Sequence, residues 1–190
     1  MDETASQEKL GSTEKEKRVK KTRRGQPIKN KLKKFQVWFH NVRGLKSKME
    51  SLQDKIDEVC PTLIGITESH LLEEEKIKFD GYADPFRNDR DNLGGGICIA
   101  VRQEIKDICT VVEKWRDVGE SLWIVIDNGK VKVRVGVVYA PQESRTSAEK
   151  LKIFYKHISE QVQQARERNQ RVLILGDFNG KIGKEVKGNM

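Results

Sequence analysis

The chain has 190 residues, which is enough for one ordinary domain and a terminal extension. Its formal net charge is +8, and charged residues make up 35% of the sequence against 36% for hydrophobic ones. No apolar run approaches the ~18 residues that a membrane span needs. No apolar stretch follows the N-terminal charges as in a secretory signal. We therefore expect a soluble, intracellular protein without a membrane segment.

The positive charge is concentrated at the N terminus. Residues 1–34 contain twelve basic and five acidic residues, so this segment carries +7 of the +8. A run of like charges with little apolar periodicity predicts a disordered tail. The same composition suits a nuclear import signal or contact with a phosphate backbone, and these interpretations are compatible with disorder. We expect salt-sensitive DNA binding that is lost when residues 1–34 are deleted, with the candidate contacts Lys20, Lys21, Arg23 and Arg24.

The domain itself is predicted to span residues 35–190 and to begin with a β-rich strand at 35–39. In chain order, the predicted elements of the first half are an amphipathic helix with apolar residues at 49, 52, 56 and 59, a strand at 63–66, a polar loop at 69–92 and a strand at 97–101. The helix is expected to stop before Pro61 because proline cannot continue it.

The second half combines a hairpin with another helix and strand. Alternating residues at 131–137 follow an apolar run at 122–126, and Asn128-Gly129 between them is a strong hairpin signal. A capping box at Thr146–Glu149 begins a helix whose apolar face extends to residue 165. The final strand is predicted at 172–175. Helices alternating with strands around a hairpin predict an α/β layered domain with a mixed sheet.

Three cysteines, Cys60, Cys98 and Cys109, form no CxxC pair and lie in or next to apolar runs. They are expected to be buried, reduced thiols without a disulfide partner. The histidines show no metal-ligand spacing with them, so a zinc site is not predicted.

Polar side chains that could carry chemistry follow the predicted strands. Asn41, Glu68 and Tyr139 come after the first, second and hairpin strands, and Asp177 and Asn179 come after the last. If these strand ends share one rim, the carboxylates could hold magnesium and activate water. The amides and the phenol could donate hydrogen bonds to a phosphate oxygen. The set suits metal-assisted phosphoester hydrolysis.

Each of these residues also has an ordinary structural alternative. An acid or amide at a strand end often caps a turn or a helix, and Tyr139 could be a packed core residue. The glycines at 94–96 are interpreted as a tight turn, because no Gly-Lys-Ser/Thr follows them as in a phosphate-binding loop.

Five short motifs, which occur in a fixed order along the chain, favour the catalytic interpretation of these residues over the structural one. They are FHNVRGL at 39–45, ITES at 66–69, GGGICIAV at 94–101, VYAP at 138–141 and LGDFN at 175–179. Together they resemble the endonuclease/exonuclease/phosphatase superfamily, and most closely the apurinic-type endonuclease domain of non-LTR retrotransposons, which accompanies a reverse transcriptase. The resemblance covers residues 35 to about 183.

This resemblance implies a DNase I-like α+β fold, a four-layer αββα sandwich whose two sheets meet at a magnesium (or manganese) site. It implies that Glu68 is the metal ligand and that Asn41 lies at the phosphate and metal. Tyr139 would contact the scissile phosphate, Asp177 would activate water, and Asn179 would steady the transition state.

The sequence departs from the family pattern in two places. Arg43 stands where some members carry a second acid near the metal, so either the metal site is weaker or Arg43 contacts phosphate. No Ser-Asp-His segment occurs, although the usual mechanism of the family depends on it. The resemblance therefore implies a domain that is incomplete at its C terminus.

Three functions remain open from the sequence. The first is a magnesium-dependent DNA endonuclease from a retrotransposon-derived reading frame. The second is an inactive, poorly soluble remnant with uncovered strand edges that binds nucleic acid through the basic tail. The third is a small-molecule phosphatase. Arg87 and Arg90 are candidate DNA-backbone contacts, with a solvated loop as the alternative.

Overall fold

The computed structural model describes residues 35–90 and 94–180. The basic segment 1–34, with Lys20, Lys21, Arg23 and Arg24, lies outside the described residues. The strands are β1 (Val37–Asn41), β2 (Leu63–Thr67), β3 (Phe86–Asn88), β4 (Ile97–Val101), β5 (Cys109–Arg116), β6 (Glu120–Asp127), β7 (Lys132–Tyr139) and β8 (Arg171–Asp177). The helices are α1 (Met49–Val59) and α2 (Ala148–Glu167), and short 3-10 turns lie at Lys46–Lys48, Gln103–Ile108 and Glu143–Arg145.

The strands form two mixed sheets of four strands each. The order is β1-β2-β4-β3 in the first sheet and β5-β6-β7-β8 in the second. β1 and β2 are parallel, as are β7 and β8, while the other neighbours are antiparallel. Each parallel pair needs a crossover, and α1 and α2 provide them.

The two sheets pack face to face with one helix on each outer surface. The α1 residues Leu52 and Ile56 pack against the outer face of the first sheet, and the α2 residues Phe154 and Ile158 pack against that of the second. A third apolar cluster lies between the sheets and is built mainly from valine, leucine and isoleucine. The four-layer αββα architecture is therefore confirmed. No helix in the described ranges is long and apolar enough to cross a bilayer.

β2 and β4 show why the central strands were recognisable from sequence. All five residues of each strand are buried. A strand covered on one side by a helix and on the other by a second sheet needs apolar residues on both faces, so it appears as a continuous apolar run.

The structure also corrects several predicted boundaries. β3 lies inside the segment that was predicted to be loop, and β5 was not predicted. The N-cap of α2 is Ser147 and not Thr146, because the Ser147 hydroxyl accepts a hydrogen bond from the Lys150 amide at 3.3 Å. The hairpin connection spans residues 128–131, and of the Asn128-Gly129 pair Gly129 alone adopts a positive φ.

The cysteine prediction is right for Cys98 and wrong for Cys60. Cys98 is fully buried, and burial raises the pKa of its thiol to about 12. Cys109 is half-buried, with its pKa raised by burial to about 11. Cys60 is exposed because it ends α1 in a left-handed conformation, with φ +51°, just before Pro61. All three thiols are free.

Within the described residues, β1 and β8 each pair with a single strand. Both are therefore sheet edges, and Trp38, Phe39 and Leu175 on them are only partly buried. Uncovered strand edges were expected from the sequence, whereas poor solubility stays a prediction.

His157 on α2 makes the stability of the fold depend on pH. Its Nε2 lies 2.9 Å from the Ser121 hydroxyl, and its ring stacks on Trp115 with the centroids 4.3 Å apart. Burial lowers the pKa of His157, with Glu113 and Glu160 opposing the shift. The folded chain therefore favours the neutral imidazole.

We expect this preference to cost stability in acid. The unfolded chain binds a proton at His157 with a pKa of about 6.5, so it gains protons before the folded chain does. The contribution of neutral His157 to the free energy of unfolding is therefore complete above pH 6.5. It is lost as the pH falls from there through the lower pKa of His157 in the folded chain. The measurement is urea unfolding of the wild type and His157→Gln from pH 8 to 5. A stability difference between the two proteins that does not change with pH would contradict the expectation.

Candidate active site

The side chain of Asn41 joins carboxylates from the two sheets. Its Nδ2 donates to Glu68 Oε1 at 2.8 Å and to Asp177 Oδ2 at 2.7 Å. Asn41 ends β1 and Glu68 follows β2, so both belong to the first sheet, while Asp177 ends β8 in the second. The amide is therefore a direct polar link across the sandwich. It holds two acids within hydrogen-bond distance of one nitrogen.

The backbone around Glu68 adopts an unusual conformation. Glu68 has φ +54°, His70 has φ +52° and Arg43 has φ +47°. A non-glycine residue in this region costs on the order of 1–3 kcal/mol and needs surrounding structure to hold it there. That support includes backbone hydrogen bonds from Gly44 N to Glu68 O at 2.8 Å and from Leu45 N to Ser69 O at 2.9 Å. The loops after β1 and β2 thus fix each other.

The three glycines at 94–96 supply further support for the Glu68 loop. The carbonyls of Gly95 and Gly96 accept hydrogen bonds from the amides of His70 and Ser69, at 2.9 and 3.1 Å. All three glycines have positive φ, and a Cβ on Gly95 would lie 2.3 Å from Glu120 Oε1. Only glycine meets both requirements at Gly95. This segment is a tight turn that leads into β4 and is hydrogen-bonded to the loop that carries Glu68.

A buried carboxylate anchors the same turn. Glu120 is fully buried, accepts a hydrogen bond from the Gly96 amide at 2.6 Å and pairs with Arg90. Burial raises the pKa of Glu120, and the Arg90 guanidinium and the Gly96 amide oppose that rise. Arg90 therefore has a structural partner.

Tyr139 and Asn179 complete the group from the second sheet. Burial raises the pKa of Tyr139, and the Glu68 carboxylate that shares a hydrogen bond with its hydroxyl raises it further. The phenol is thus held protonated as a donor at neutral pH. Asn179 Nδ2 donates to the Ala140 carbonyl at 2.7 Å, and its backbone amide donates to Asp177 Oδ1 at 2.9 Å.

The position of Asp177 depends on the residue before it. In the parallel pairing of β7 and β8, Gly176 lies beside Val138 and Asp177 beside Tyr139. A Cβ on Gly176 would be 2.3 Å from the Val138 carbonyl oxygen, so no side chain fits there without a backbone shift. Gly176 allows the close approach that places Asp177 next to Tyr139.

The donor chemistry of this group fits a hard divalent cation. Magnesium takes one or two protein carboxylates and completes its shell with waters and substrate phosphate. Glu68 and Asp177 supply two carboxylates, and the Glu68 side chain remains 17% exposed. In the described ranges no group of three or more His, Cys, Asp or Glu side chains that could hold a metal ion is found. Glu68 and Asp177 are two carboxylates, which is the number that a hard divalent cation takes when water completes its shell.

Solved structures identify the fold. The chain matches TDP2 from C. elegans with a TM-score of 0.58 at 13% identity, covering 81% of this chain and 51% of that one. It matches the 3′ phosphatase NExo from Neisseria, bound to a product DNA hairpin, at 0.52 and 18% identity, with 75% and 56% covered. An endonuclease/exonuclease/phosphatase family protein from Bacteroides thetaiotaomicron matches at 0.53 and 14%, with 80% and 66% covered.

The fold is that of the endonuclease/exonuclease/phosphatase structures. No protein-family model and no curated protein matches the sequence. The chain spans about half to two thirds of the length of these solved structures. Identities this low establish the fold alone.

Within this endonuclease/exonuclease/phosphatase fold, the structure brings together all five predicted strand-end residues. Asn41, Glu68, Tyr139, Asp177 and Asn179 lie where the ends of the two sheets meet, joined by the contacts described above. A cavity of about 520 Å³ opens beside Asp177 and is lined by Phe39, Asn41 and residues 176–180. Their catalytic roles stay predictions.

The three arginines of the domain that were predicted to contact nucleic acid lie in different environments. Arg43 is exposed and lies on the loop after β1, whose backbone is hydrogen-bonded to the loop that carries Glu68. Arg87 is mostly buried, donates to the Leu72 carbonyl at 2.6 Å and pairs with Asp89 at 2.8 Å. Arg87 and Arg90 thus hold loops in place, and their contact with DNA stays a prediction.

His70 lies beside Glu68 and was not predicted from the sequence as part of this group. Its Nε2 lies 3.7 Å from Glu68 Oε2, and its side chain is about one third exposed. The only available signal was its position two residues after Glu68, because the left-handed turn that directs the ring toward the carboxylate has no sequence signature.

Proposed function

We propose that this chain carries the site of a magnesium-dependent phosphodiesterase that nicks DNA. The observation that carries the proposal is the Asn41 amide, which holds Glu68 and Asp177 from opposite sheets on one nitrogen. Two fixed carboxylates beside a protonated phenol suit attack by water on a phosphodiester. The basic segment 1–34 supports DNA as the substrate, because it adds a large positive charge to a nearly neutral domain.

Each side chain then has a role in the reaction. Asp177 orients a water and accepts its proton as the new oxygen–phosphorus bond forms, while the bond from phosphorus to the leaving sugar oxygen breaks and that oxygen takes a proton from solvent water. Tyr139 donates a hydrogen bond to a non-bridging phosphate oxygen, where negative charge increases. Asn41 keeps the two carboxylates at a fixed separation, and Asn179 braces Asp177 through its backbone amide. Glu68 would hold the divalent ion, which would supply charge neutralisation on the phosphate.

We also propose that the chain derives from the reading frame of a non-LTR retrotransposon. It is supported by the five ordered motifs, above all LGDFN at 175–179 and ITES at 66–69. Genomic DNA that continues the reading frame into a reverse transcriptase would establish this origin.

A plasmid-nicking assay with the full chain tests the proposed activity. We expect relaxation of supercoiled DNA in Mg²⁺ or Mn²⁺ that stops when EDTA removes the metal. Glu68→Gln should lower the rate by about 100-fold or more, because even partners of metal ligands contribute about 10–100-fold. Glu104→Gln is the matched control, since Glu104 is exposed in the turn at Gln103–Ile108, at the opposite end of the sandwich.

The same assay separates the alternatives. Failure to nick, together with salt-sensitive DNA binding that is lost when Lys20, Lys21, Arg23 and Arg24 are neutralised, would favour a non-catalytic nucleic-acid-binding protein. Phosphate release from small monoesters without nicking would favour a small-molecule phosphatase.

A further inference from the structure

The amide of Asn41 has two chemically different ends, and the site works with only one orientation. With Nδ2 toward Glu68 and Asp177, the group donates to both carboxylates. Rotated by half a turn, it would direct its carbonyl oxygen at two other acceptors, which repel it. The two carboxylates therefore set the orientation of the amide, and its carbonyl oxygen points to the other side, where it needs a donor of its own.

The oxygen end of this amide is buried. Asn41 Oδ1 makes no hydrogen bond to any described residue. A buried carbonyl oxygen without a partner costs on the order of 1–3 kcal/mol, and in native proteins such atoms are almost always satisfied by protein or ordered water.

Thr67 offers the matching group. Its side chain is fully buried, and Oγ1 likewise has no hydrogen bond to a described residue. Thr67 is the register partner of Asn41 in the parallel pairing of β1 and β2. Paired residues on adjacent strands lie on the same face, about 5 Å apart.

Both side chains face the space between the sheets. Along β1 and β2 the alternate residues Val37, Phe39 and Leu63 belong to the cluster between the sheets, and a Cβ on Gly65 would contact Val137 and Leu175 of the second sheet. Strand alternation therefore places Asn41 and Thr67 on that same inner face.

We propose that Thr67 is a positioning residue, whose hydroxyl donates through one buried water to Asn41 Oδ1 and so fixes the amide toward the two carboxylates. The two oxygens make no direct hydrogen bond to each other, and the strand spacing of about 5 Å leaves room for one bridging water between the two side chains. The water would donate to Oδ1, and the hydroxyl would donate to the water. The spacing of Glu68 and Asp177 then depends on a residue that touches neither substrate nor metal. The expected effect of Thr67 on DNA nicking rests on the proposed function, whereas its expected effect on the Asn41 amide does not.

Two substitutions at Thr67 separate the hydroxyl from the shape of the side chain. Thr67→Val keeps the volume and removes the hydroxyl, while Thr67→Ser keeps the hydroxyl. Thr62→Val is the matched control, because Thr62 is also buried but lies at the other end of β2, where its hydroxyl accepts from Gln36.

The decisive readout is the side-chain amide of Asn41 in ¹⁵N NMR spectra, assigned by its loss in Asn41→Asp. Thr67→Val should speed exchange of this NH₂ group with solvent by about tenfold, the size expected for one lost hydrogen bond. Thr67→Ser and Thr62→Val should leave it unchanged. In the nicking assay, Thr67→Val should lower kcat with little change in KM.

An unchanged Asn41 amide in folded Thr67→Val would overturn the proposal. If Thr67→Val does not fold, a crystal structure of the wild-type chain decides instead, and an Oδ1 that contacts neither a bridging water nor Thr67 would count against it. A wild type that never nicks DNA would refute the proposed function, yet the amide signal would still test the role of Thr67.

Discussion

Asp177→Asn should reduce DNA nicking by about 10²–10⁴-fold, the range that general acid–base groups contribute. The substitution keeps the shape of the side chain but removes the charge that accepts the proton of the attacking water. It also places a second amide against the Nδ2 of Asn41, where the carboxylate oxygen now accepts at 2.7 Å. The measurement is the initial rate of plasmid relaxation at saturating magnesium.

The control for this change is Asp107→Asn. Asp107 is exposed in the turn after β4, at the end of the sandwich opposite the candidate site. It undergoes the same change of charge, so a general electrostatic effect on DNA binding would affect both variants equally. Similar rates for Asp177→Asn and the wild type would remove Asp177 from the mechanism.

The largest expected effect on stability is that of Phe154→Ala. Phe154 lies on the buried face of α2 and is fully buried, with its ring centroid 6.0 Å from that of Trp115. Its ring also packs against Gly119, where an added Cβ would lie 2.6 Å from the phenylalanine ring. Truncating such a phenylalanine typically lowers the free energy of unfolding by about 3–5 kcal/mol, because a cavity replaces well-packed atoms. Urea denaturation at neutral pH measures the change.

The neighbouring residue supplies the comparison. Ile153 is 47% exposed on the same helix, so Ile153→Ala removes about half as many atoms and opens no cavity. We expect a change within about 0.5 kcal/mol for this variant. Equal losses for the two variants would mean that α2 is held by its surface contacts and not by the aromatic anchor.

The two kinds of strand in this fold explain what the sequence could predict. β2 and β4 are buried on both faces, so their apolar runs were recognisable without any knowledge of their neighbours. β5 is an edge strand of mixed exposure with a register shift between Val111 and Glu113, which breaks the alternation that would have identified it. β3 has only three residues and is fixed by pairing with β4.

The same distinction applies to the candidate site. The polar residues were found because they directly end or follow strands, which is a local feature of the chain. Their hydrogen bonds could not be predicted, since Asn41 meets Asp177 across two different sheets. The contributions of Thr67 and His70 were missed for a related reason, because strand register and a left-handed turn decide what their side chains contact.

The hydrogen bond between Asn41 and Asp177 connects residues 136 positions apart in the chain. Contacts of such long range close last, because the loop-closure entropy must be offset by the rest of the fold. Glu68 can reach the Asn41 amide once β1 has paired with β2, but Asp177 cannot reach it until β8 has docked beside β7. During synthesis the complete group of Asn41, Glu68 and Asp177 therefore cannot form before residue 177 has emerged from the ribosome, so every shorter nascent chain lacks it.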